Sequence, residues 1–418
     1  MDKLIIEGGA PLLGELRVQG AKNAVLPILA AAAMAGGECV IHNCPRLRDV
    51  EKTVMILQRL GCGVRREGGT ITVDSSALTG CVIDEGLMRE MRSSIIFLGA
   101  ILTACSEAVV GMPGGCPIGL RPIDLHIKAL KKMGVSVCEE HGYIKCSCGR
   151  IRGCDIHLDF PSVGATENVM LAAVKAEGVT TITNAAREPE IVDLARFLNA
   201  MGARVTGAGS SVVVIEGTES LHGAEYSIMP DRIVAQTYLI AALMTGGHIR
   251  VSDARPEHMR AALSALSDMG ADIREDSGGI DIRSRGRIRS VHIIRTMPYP
   301  GFPTDIQSPF MALASVADGT SVFVENIFEN RYRHVDELVR MGADIKVEGR
   351  SAVVRGVKEL YGANVEAYEL RGGAALVLAA LAANGRSTVT GTEYIDRGYE
   401  DIEGCLARCG ARIHRVGC

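Results

Sequence analysis

Met269-Gly270-Ala271-Asp272-Ile273 is one of six copies of a short motif, and its recurrence decides the fold. The others are Leu60-Gly61-Cys62-Gly63-Val64, Met133-Gly134-Val135-Ser136-Val137, Met201-Gly202-Ala203-Arg204-Val205, Met341-Gly342-Ala343-Asp344-Ile345 and Cys409-Gly410-Ala411-Arg412-Ile413. The central glycines recur every 68 to 73 residues. Upstream of each copy lies an amphipathic segment, such as 191–198. The motif therefore reads as a helix stopped by glycine and followed by a strand. Downstream of most copies, a glycine turn and a second alternating strand complete a hairpin, as in 271–273 with 279–282. Asp276-Ser277-Gly278-Gly279 has the look of a serine-protease signature, but a hairpin turn accounts for it.

Each unit carries a second helical segment of another kind, at 26–35, 95–104, 167–176, 234–244, 309–316 and 374–383. These segments are apolar nearly all round. A helix with no polar face must be surrounded by protein. The prediction is an α/β architecture of two domains. Each domain has three repeated units, with apolar inner helices wrapped by sheets and amphipathic helices. The expected first domain spans 22–229, and the second joins 1–21 to 230–418. The N-terminal strand at 4–6 is expected to pair with the second half.

Composition narrows the function. The 418 residues suggest about two or three domains. With 47% hydrophobic residues, 4% aromatics and no Trp, the core must be aliphatic, and bases would find little to stack on. A net charge of −4 gives no reason to expect nucleic acid or an anionic membrane as partner. The run 24–35 is too short to span a bilayer. Thirteen cysteines, an odd number in a long chain with no apolar leader, fit reduced thiols in the cytoplasm. Cys138, Cys146, Cys148 and Cys154 with His141 and His157 invite a zinc reading. Their Cys-x-Cys spacing is not the usual Cys-x-x-Cys, and the alternation at 143–148 reads as an ordinary strand.

Two features carry chemistry. Met112-Pro113-Gly114-Gly115-Cys116-Pro117-Ile118-Gly119-Leu120-Arg121-Pro122-Ile123-Asp124 is a shaped loop that sets a thiol near a guanidinium and a carboxylate. Cys116 is either a small buried hydrophobe or a reactive thiol beside positive charge. Polar residues also gather where the inner helices begin: Lys22-Asn23, Arg92-Ser93-Ser94, Ser162 with Gly164-Ala165-Thr166, Asp231-Arg232, Thr304-Asp305 and Arg371-Gly372. Helix starts attract anions, and capping accounts for Thr166 and Thr304. Cations there oppose the helix dipole, so Lys22, Arg92, Arg232 and Arg371 call for a bound anion or a partner carboxylate.

Eight motifs in order resemble the UDP-N-acetylglucosamine 1-carboxyvinyltransferase family, which implies the enolpyruvyl transferase fold of two inside-out α/β-barrel (prism) domains with three repeated units each. The motifs are Lys22-Asn23, Arg92-Ser93-Ser94, the 114–119 loop, Arg121-Pro122-Ile123-Asp124-Leu125-His126, 162–168, 184–190, Phe302-Pro303-Thr304-Asp305 and 395–400. The resemblance runs from about residue 4 to residue 413. It implies transfer of an enolpyruvyl group from phosphoenolpyruvate to the 3-hydroxyl of UDP-N-acetylglucosamine in peptidoglycan synthesis, with release of phosphate. Small-molecule substrates, no cofactor, no metal and a cytoplasmic location follow from it.

By the same resemblance Cys116 is the acid that protonates phosphoenolpyruvate, can form a thioether with it, and is the thiol that the epoxide fosfomycin alkylates. Asp305 contacts the reacting hydroxyl as base or orienter. Lys22, Arg92, Arg121 and Arg397 clamp phosphoenolpyruvate, and Asn23 contacts the bound substrates. The nucleotide lies across Arg121, Pro122, Ile123, Asp124 and Leu125, its diphosphate near Ser162, Val163 and Gly164, and the Ile327 backbone meets the sugar. The active site is expected in the cleft between the domains, with the loop of about 111–121 as its lid. His126 reads as a helix residue rather than a catalyst. Three positions depart from the family: Glu369 replaces a common Asp, Phe160-Pro161 replaces a lysine found in some members, and Leu120 is unusual beside Arg121. Two other readings are another enolpyruvyl transferase, shikimate-type or acting on a different nucleotide, and a paralogue that binds a sugar nucleotide or a partner protein without turnover. The shikimate type begins its first inner helix with Lys-Ser rather than Lys22-Asn23, and the paralogue without turnover sits poorly with an intact Cys116, Asp305 and Arg397.

Overall fold

The computed structural model describes residues 2–113, 118–119 and 123–417, with Arg92 described by its backbone alone. Cys116, Arg121, Pro122 and Leu120 lie outside the described residues. The chain divides into two compact units, one of residues 20–116 and 121–229, the other of 1–19, 117–120 and 230–418.

Each glycine of the repeated motif has a φ between +88° and +104°, where a side chain would be strained. Each follows an outer helix: Arg48–Arg59, Asp124–Lys132, Pro189–Ala200, Arg260–Asp268, Val335–Arg340 and Ile402–Arg408. After the glycine the chain enters a strand. Ala271–Asp276, for example, pairs antiparallel with Gly279–Ser284 through Ile273↔Ile282.

The described residues form six four-stranded sheets of one pattern, an edge strand parallel to its neighbour and two further antiparallel pairings. The unit of 20–229 closes on itself: its late strand Glu225–Ser227 lies parallel to the early strand Glu38–His42. The other unit is completed by the N-terminal segment. Leu13–Arg17 supplies the parallel edge beside His248–Ser252. Lys3–Glu7 lies antiparallel between Arg386–Thr390 and Arg412–Val416, the place taken in the other sheets by the return strand of a hairpin. Leu4 and Ile6 thereby enter the core.

The inner helices are Lys22–Ala32, Phe97–Cys105 and Val163–Ala173 in one unit, and Arg232–Met244, Gln307–Ala314 and Leu370–Ala382 in the other. Most residues of each are buried, and each set of three lies at the centre of one aliphatic core. Four begin two to four residues before their apolar runs, because their first turns are already helical. The second and fifth are entered through the 3-10 turns Arg92–Ile96 and Thr304–Ile306. Among the described residues no helix is long and apolar enough to cross a membrane. No group of three His, Cys, Asp or Glu among them could hold a metal. Tyr143–Ser147 is a strand with alternating burial.

Two capping expectations are corrected. Ser162, not Thr166, caps the third inner helix by accepting from the Ala165 N–H at 3.3 Å. The Thr166 hydroxyl instead donates to the Ser162 carbonyl and accepts from Ala186 N–H, stitching the helix to the strand exit at 184–186. Thr304 donates to Glu325 Oε2 at 2.9 Å and caps nothing. The fourth and sixth helices are capped by Asp231 and Glu369.

Candidate active site

In the unit of 20–229, Lys22 and Asn23 open the first inner helix, which has no side-chain cap. Lys22 Nζ lies 2.7 Å from Asp49 Oδ2, in the first turn of the outer helix Arg48–Arg59. The cation at this unfavourable helix end thus has a partner carboxylate. Arg92 starts its 3-10 turn on the same unit.

Ile123 sits at the N-cap position of the outer helix Asp124–Lys132, with Asp124 exposed in the first turn and Leu125 half-buried. Ser162, Val163 and Gly164 form the start of the third inner helix. His126 brings these two stretches together. Its ring lies where a Cβ on Gly164 would come within 3.2 Å of Cε1. Its Nδ1 is 2.9 Å from Asn168 Nδ2. Asn168 is fully buried, accepts from Gly99 N–H at 2.6 Å and donates to the Ile95 carbonyl at 3.0 Å. His126 is therefore a packing residue, and Asn168 ties the 123–125 and 162–164 stretches to the second inner helix. One turn along, Glu167 is wholly buried. Burial first, then the charges of Glu190 and Glu188, push its carboxyl well above the usual carboxylate range. Phe160, in place of a possible cation, is an exposed ring just upstream.

In the other unit, Asp305 sits in the 3-10 turn Thr304–Ile306 and serves as no cap. Its Oδ1 accepts from Arg331 Nη2 at 2.9 Å, and Arg371 Nη2 is 3.7 Å from its Oδ2. The Asp305 side chain is 30% exposed, whereas those of Arg331 and Arg371 are 2% and 3% exposed. Glu369 accepts from the backbone N–H of Arg371 at 2.8 Å and from that of Gly372, and its Oε2 lies 3.8 Å from Arg331 Nη1. The larger carboxylate at 369 is thus a helix cap that also faces a buried arginine. Arg371 stacks over the Tyr399 ring at 5.5 Å. Burial works against its charge, but Tyr399, Asp305 and Asp231 keep its pKa above the ordinary arginine value. His334 is buried beside Gly372, and burial, then the nearby Arg331, lower its pKa to about 3, so it is neutral.

Ile327 spends its N–H on Glu325 Oε1 at 2.8 Å, so its carbonyl is the backbone group left for a ligand. Arg397 follows the short helix Thr392–Ile395 and is half-buried. The adjacent Asp396 is held by Arg415 at 2.7 and 2.9 Å. Of the thiol loop, Ile118 accepts from Asn330 N–H at 2.9 Å, and a side chain on Gly119 would collide with Glu329.

Arg331 and His334 were not singled out in the sequence. Glu329-Asn330-Arg331-Tyr332-Arg333 has the charge of an exposed loop, and only the tertiary fold buries Arg331.

A family model described as EPSP synthase (3-phosphoshikimate 1-carboxyvinyltransferase) matches residues 6–406. The chain is 53% identical over 416 residues to UDP-N-acetylglucosamine 1-carboxyvinyltransferase 2 of Caldanaerobacter subterraneus subsp. tengcongensis, covering 100% of each. It is 47% identical to UDP-N-acetylglucosamine 1-carboxyvinyltransferase of Halothermothrix orenii, again covering 100% of each. The chain belongs to the UDP-N-acetylglucosamine 1-carboxyvinyltransferase family. Solved structures carry the same fold at greater distance. The enolpyruvyl transferase NikO from Streptomyces tendae aligns with a TM-score of 0.90 at 24% identity, covering 100% of this chain and 99% of that one. EPSP synthase from Acinetobacter baumannii aligns with a TM-score of 0.76 at 20% identity, covering 100% of both. A member of the carboxyvinyltransferase family is a transferase.

Proposed function

We propose that this chain transfers the enolpyruvyl group of phosphoenolpyruvate to the 3-hydroxyl of UDP-N-acetylglucosamine, releasing phosphate, as the first committed step of peptidoglycan synthesis in the cytoplasm. The observation that carries the reading is 53% identity over the whole chain to an enzyme of that name.

The reaction is an addition followed by an elimination. The sugar oxygen bonds to C2 of phosphoenolpyruvate while C3 takes a proton, giving a tetrahedral intermediate. Loss of a proton from the new methyl group and departure of phosphate restore the double bond. Cys116 is the donor to C3, and can instead bond to C2 as a thioether. Asp305 accepts from or orients the 3-hydroxyl. Lys22, Arg92, Arg121 and Arg397 hold the phosphate and carboxylate, a task suited to the planar guanidinium fork. Asn23 contacts both substrates. Arg121, Pro122, Ile123, Asp124 and Leu125 hold the nucleotide. Ser162, Val163 and Gly164 offer helix-start N–H groups to the diphosphate, and the Ile327 carbonyl meets the sugar.

Two observations support these roles. Asp305 keeps part of its carboxylate exposed while two arginines fix the rest. The 123–125 and 162–164 stretches adjoin through His126. Purified protein given both substrates under reducing conditions should release phosphate in step with loss of phosphoenolpyruvate. Absence of phosphate at saturating substrate would refute the reading.

A further inference from the structure

One glutamine near the start of the chain holds a loop near its end. The loop runs from the short helix Thr392–Ile395 to the helix Ile402–Arg408 and carries Arg397. Within it, the N–H groups of Gly398 and Tyr399 turn back onto the Ile395 carbonyl, at 3.0 and 3.1 Å. The Gly398 carbonyl and the Glu400 N–H both go to Gln19. Its Nε2 donates to the carbonyl at 3.2 Å, and its Oε1 accepts from the N–H at 2.8 Å. A primary amide donates and accepts side by side in one plane, so it binds two backbone groups much as a neighbouring strand would. Gln19 does this from a fixed base. Its own carbonyl accepts from Asp231 N–H at 2.9 Å, and Val18 N–H donates to the Ser252 carbonyl at 3.1 Å. Asp231 in turn caps the inner helix Arg232–Met244. Two other residues anchor the loop: Arg415 on Asp396, and Thr237, whose hydroxyl is 2.9 Å from that of Tyr399. Both meet side chains, whereas Gln19 meets the main chain.

We propose that Gln19 is a positioning residue, which fixes the main chain at 398–400 and so sets where Arg397 presents its guanidinium to phosphoenolpyruvate. The proposal rests on the function given above. A guanidinium fork pairs with carboxylate or phosphate through two parallel bonds, so the plane of the fork matters and its backbone must be held accordingly. Arg397 sits between helices, with no strand ladder of its own to hold it. Its neighbour Gly398 packs closely, since a Cβ there would come within 2.7 Å of Leu370 Cδ2. The amide, not the bulk, is what the loop uses. Gln19 is half-buried, and a methionine of the same length would fill its space without either hydrogen bond.

The test compares the wild-type enzyme with Gln19→Met, Gln19→Glu, Arg397→Lys and the Gln19→Met/Arg397→Lys double variant. Phosphate release is measured with each substrate varied in turn. Thermal unfolding checks folding, and amide hydrogen exchange reads the loop directly. Gln19→Met should speed exchange in the peptide that contains 396–401. Two hydrogen bonds of ordinary net strength correspond to about 10-fold, so kcat/KM for phosphoenolpyruvate should fall by about that factor. KM for UDP-N-acetylglucosamine should stay within about twofold. Gln19→Glu keeps the shape, but its carboxylate confronts the Gly398 carbonyl with an acceptor in place of a donor. It should lose at least as much, and it carries the test if Gln19→Met does not fold. In the Arg397→Lys background the effect of Gln19→Met should nearly vanish, because the fork it positions is gone. The proposal fails if both variants keep wild-type kinetics for phosphoenolpyruvate, or if the two substrates are affected alike. It also fails if exchange across 396–401 is unchanged, or if the loss is undiminished in the Arg397→Lys background. No phosphate from the wild-type enzyme would overturn the functional reading and the proposal together, whereas wild-type turnover with an indifferent Gln19 overturns the proposal alone.

Discussion

Lys22 Nζ and Asp49 Oδ2 stand 2.7 Å apart, with side chains only 12% and 4% exposed, and join the first inner helix to the outer helix beside it. The pair explains how a cation is tolerated at an inner-helix start, and it couples a proposed substrate-clamp residue to the packing of its unit. Breaking one side of a buried pair leaves the other charge stranded. Asp49→Asn is expected to lose about 3 kcal/mol of stability in urea unfolding. The double variant Lys22→Met/Asp49→Leu should regain most of that stability and no activity. Equal stability of Asp49→Asn and wild type would show that the pair contributes nothing.

The thiols should separate by reactivity. Burial raises the pKa of Cys44 to about 12 and, as the leading cause, those of Cys62 and Cys146 to about 11. It also raises those of Cys39, Cys105, Cys148, Cys154 and Cys409. The nucleophile is the thiolate, so these sites are slow at neutral pH. Fosfomycin is expected to add one adduct mass, on the Cys116 peptide, and to abolish phosphate release. A label on Cys105 or Cys148 would assign the reactive thiol elsewhere.

Asn168 serves three partners from a fully buried position: Gly99 N–H, the Ile95 carbonyl and His126. Asn168→Ala strands buried polar groups at about 1–3 kcal/mol each. The expected outcome is a large fall in the thermal midpoint. A raised KM for UDP-N-acetylglucosamine should accompany it, since His126 anchors the helix that begins at Asp124 and Leu125. A destabilised enzyme with unchanged KM would confine Asn168 to packing.

His334 sets an acid limit on stability. Native His334 stays neutral down to about pH 3, whereas the unfolded side chain takes a proton near its ordinary value of 6.5. Between these values the unfolded state binds more protons, so stability falls as pH drops from 6.5 toward 3. At pH 5 the loss is about 2 kcal/mol. Neither ring nitrogen has a hydrogen-bond partner among the described residues, so His334→Leu sacrifices none. Urea midpoints at pH 7.5 and pH 5 should lie closer together in His334→Leu than in wild type. An identical gap in both would assign the acid sensitivity to other groups.

What could be read from the sequence was what local geometry dictates. The six motif glycines take left-handed φ values, a demand of the chain at those residues themselves. The inner helices were legible because an unbroken apolar surface has only one place to go. Their starts were less so, since Lys22, Ser162 and Arg232 look like loop residues until the helix includes or is capped by them. Thr166 and Thr304 show the limit of capping rules: each hydroxyl is used by a partner distant in sequence. Arg331 is the same problem in stronger form. Its burial, and both carboxylates it touches, come from segments 26 and 38 residues away, and no pattern near 331 reports them.

The strand Lys3–Glu7 has a consequence for how the molecule is made. Its neighbours, Arg386–Thr390 and Arg412–Val416, leave the ribosome only after the whole of the unit 20–229. The strands Glu38–His42 to Glu225–Ser227, by contrast, find all their partners within the first 229 residues and can assemble while translation continues. Leu4 and Ile6 must wait, apolar and unpaired, until residues 386–416 have been made. A nascent chain stalled short of residue 386 would therefore carry one finished unit and an orphaned strand, a natural mark by which a chaperone or protease could distinguish an incomplete polypeptide from a finished one.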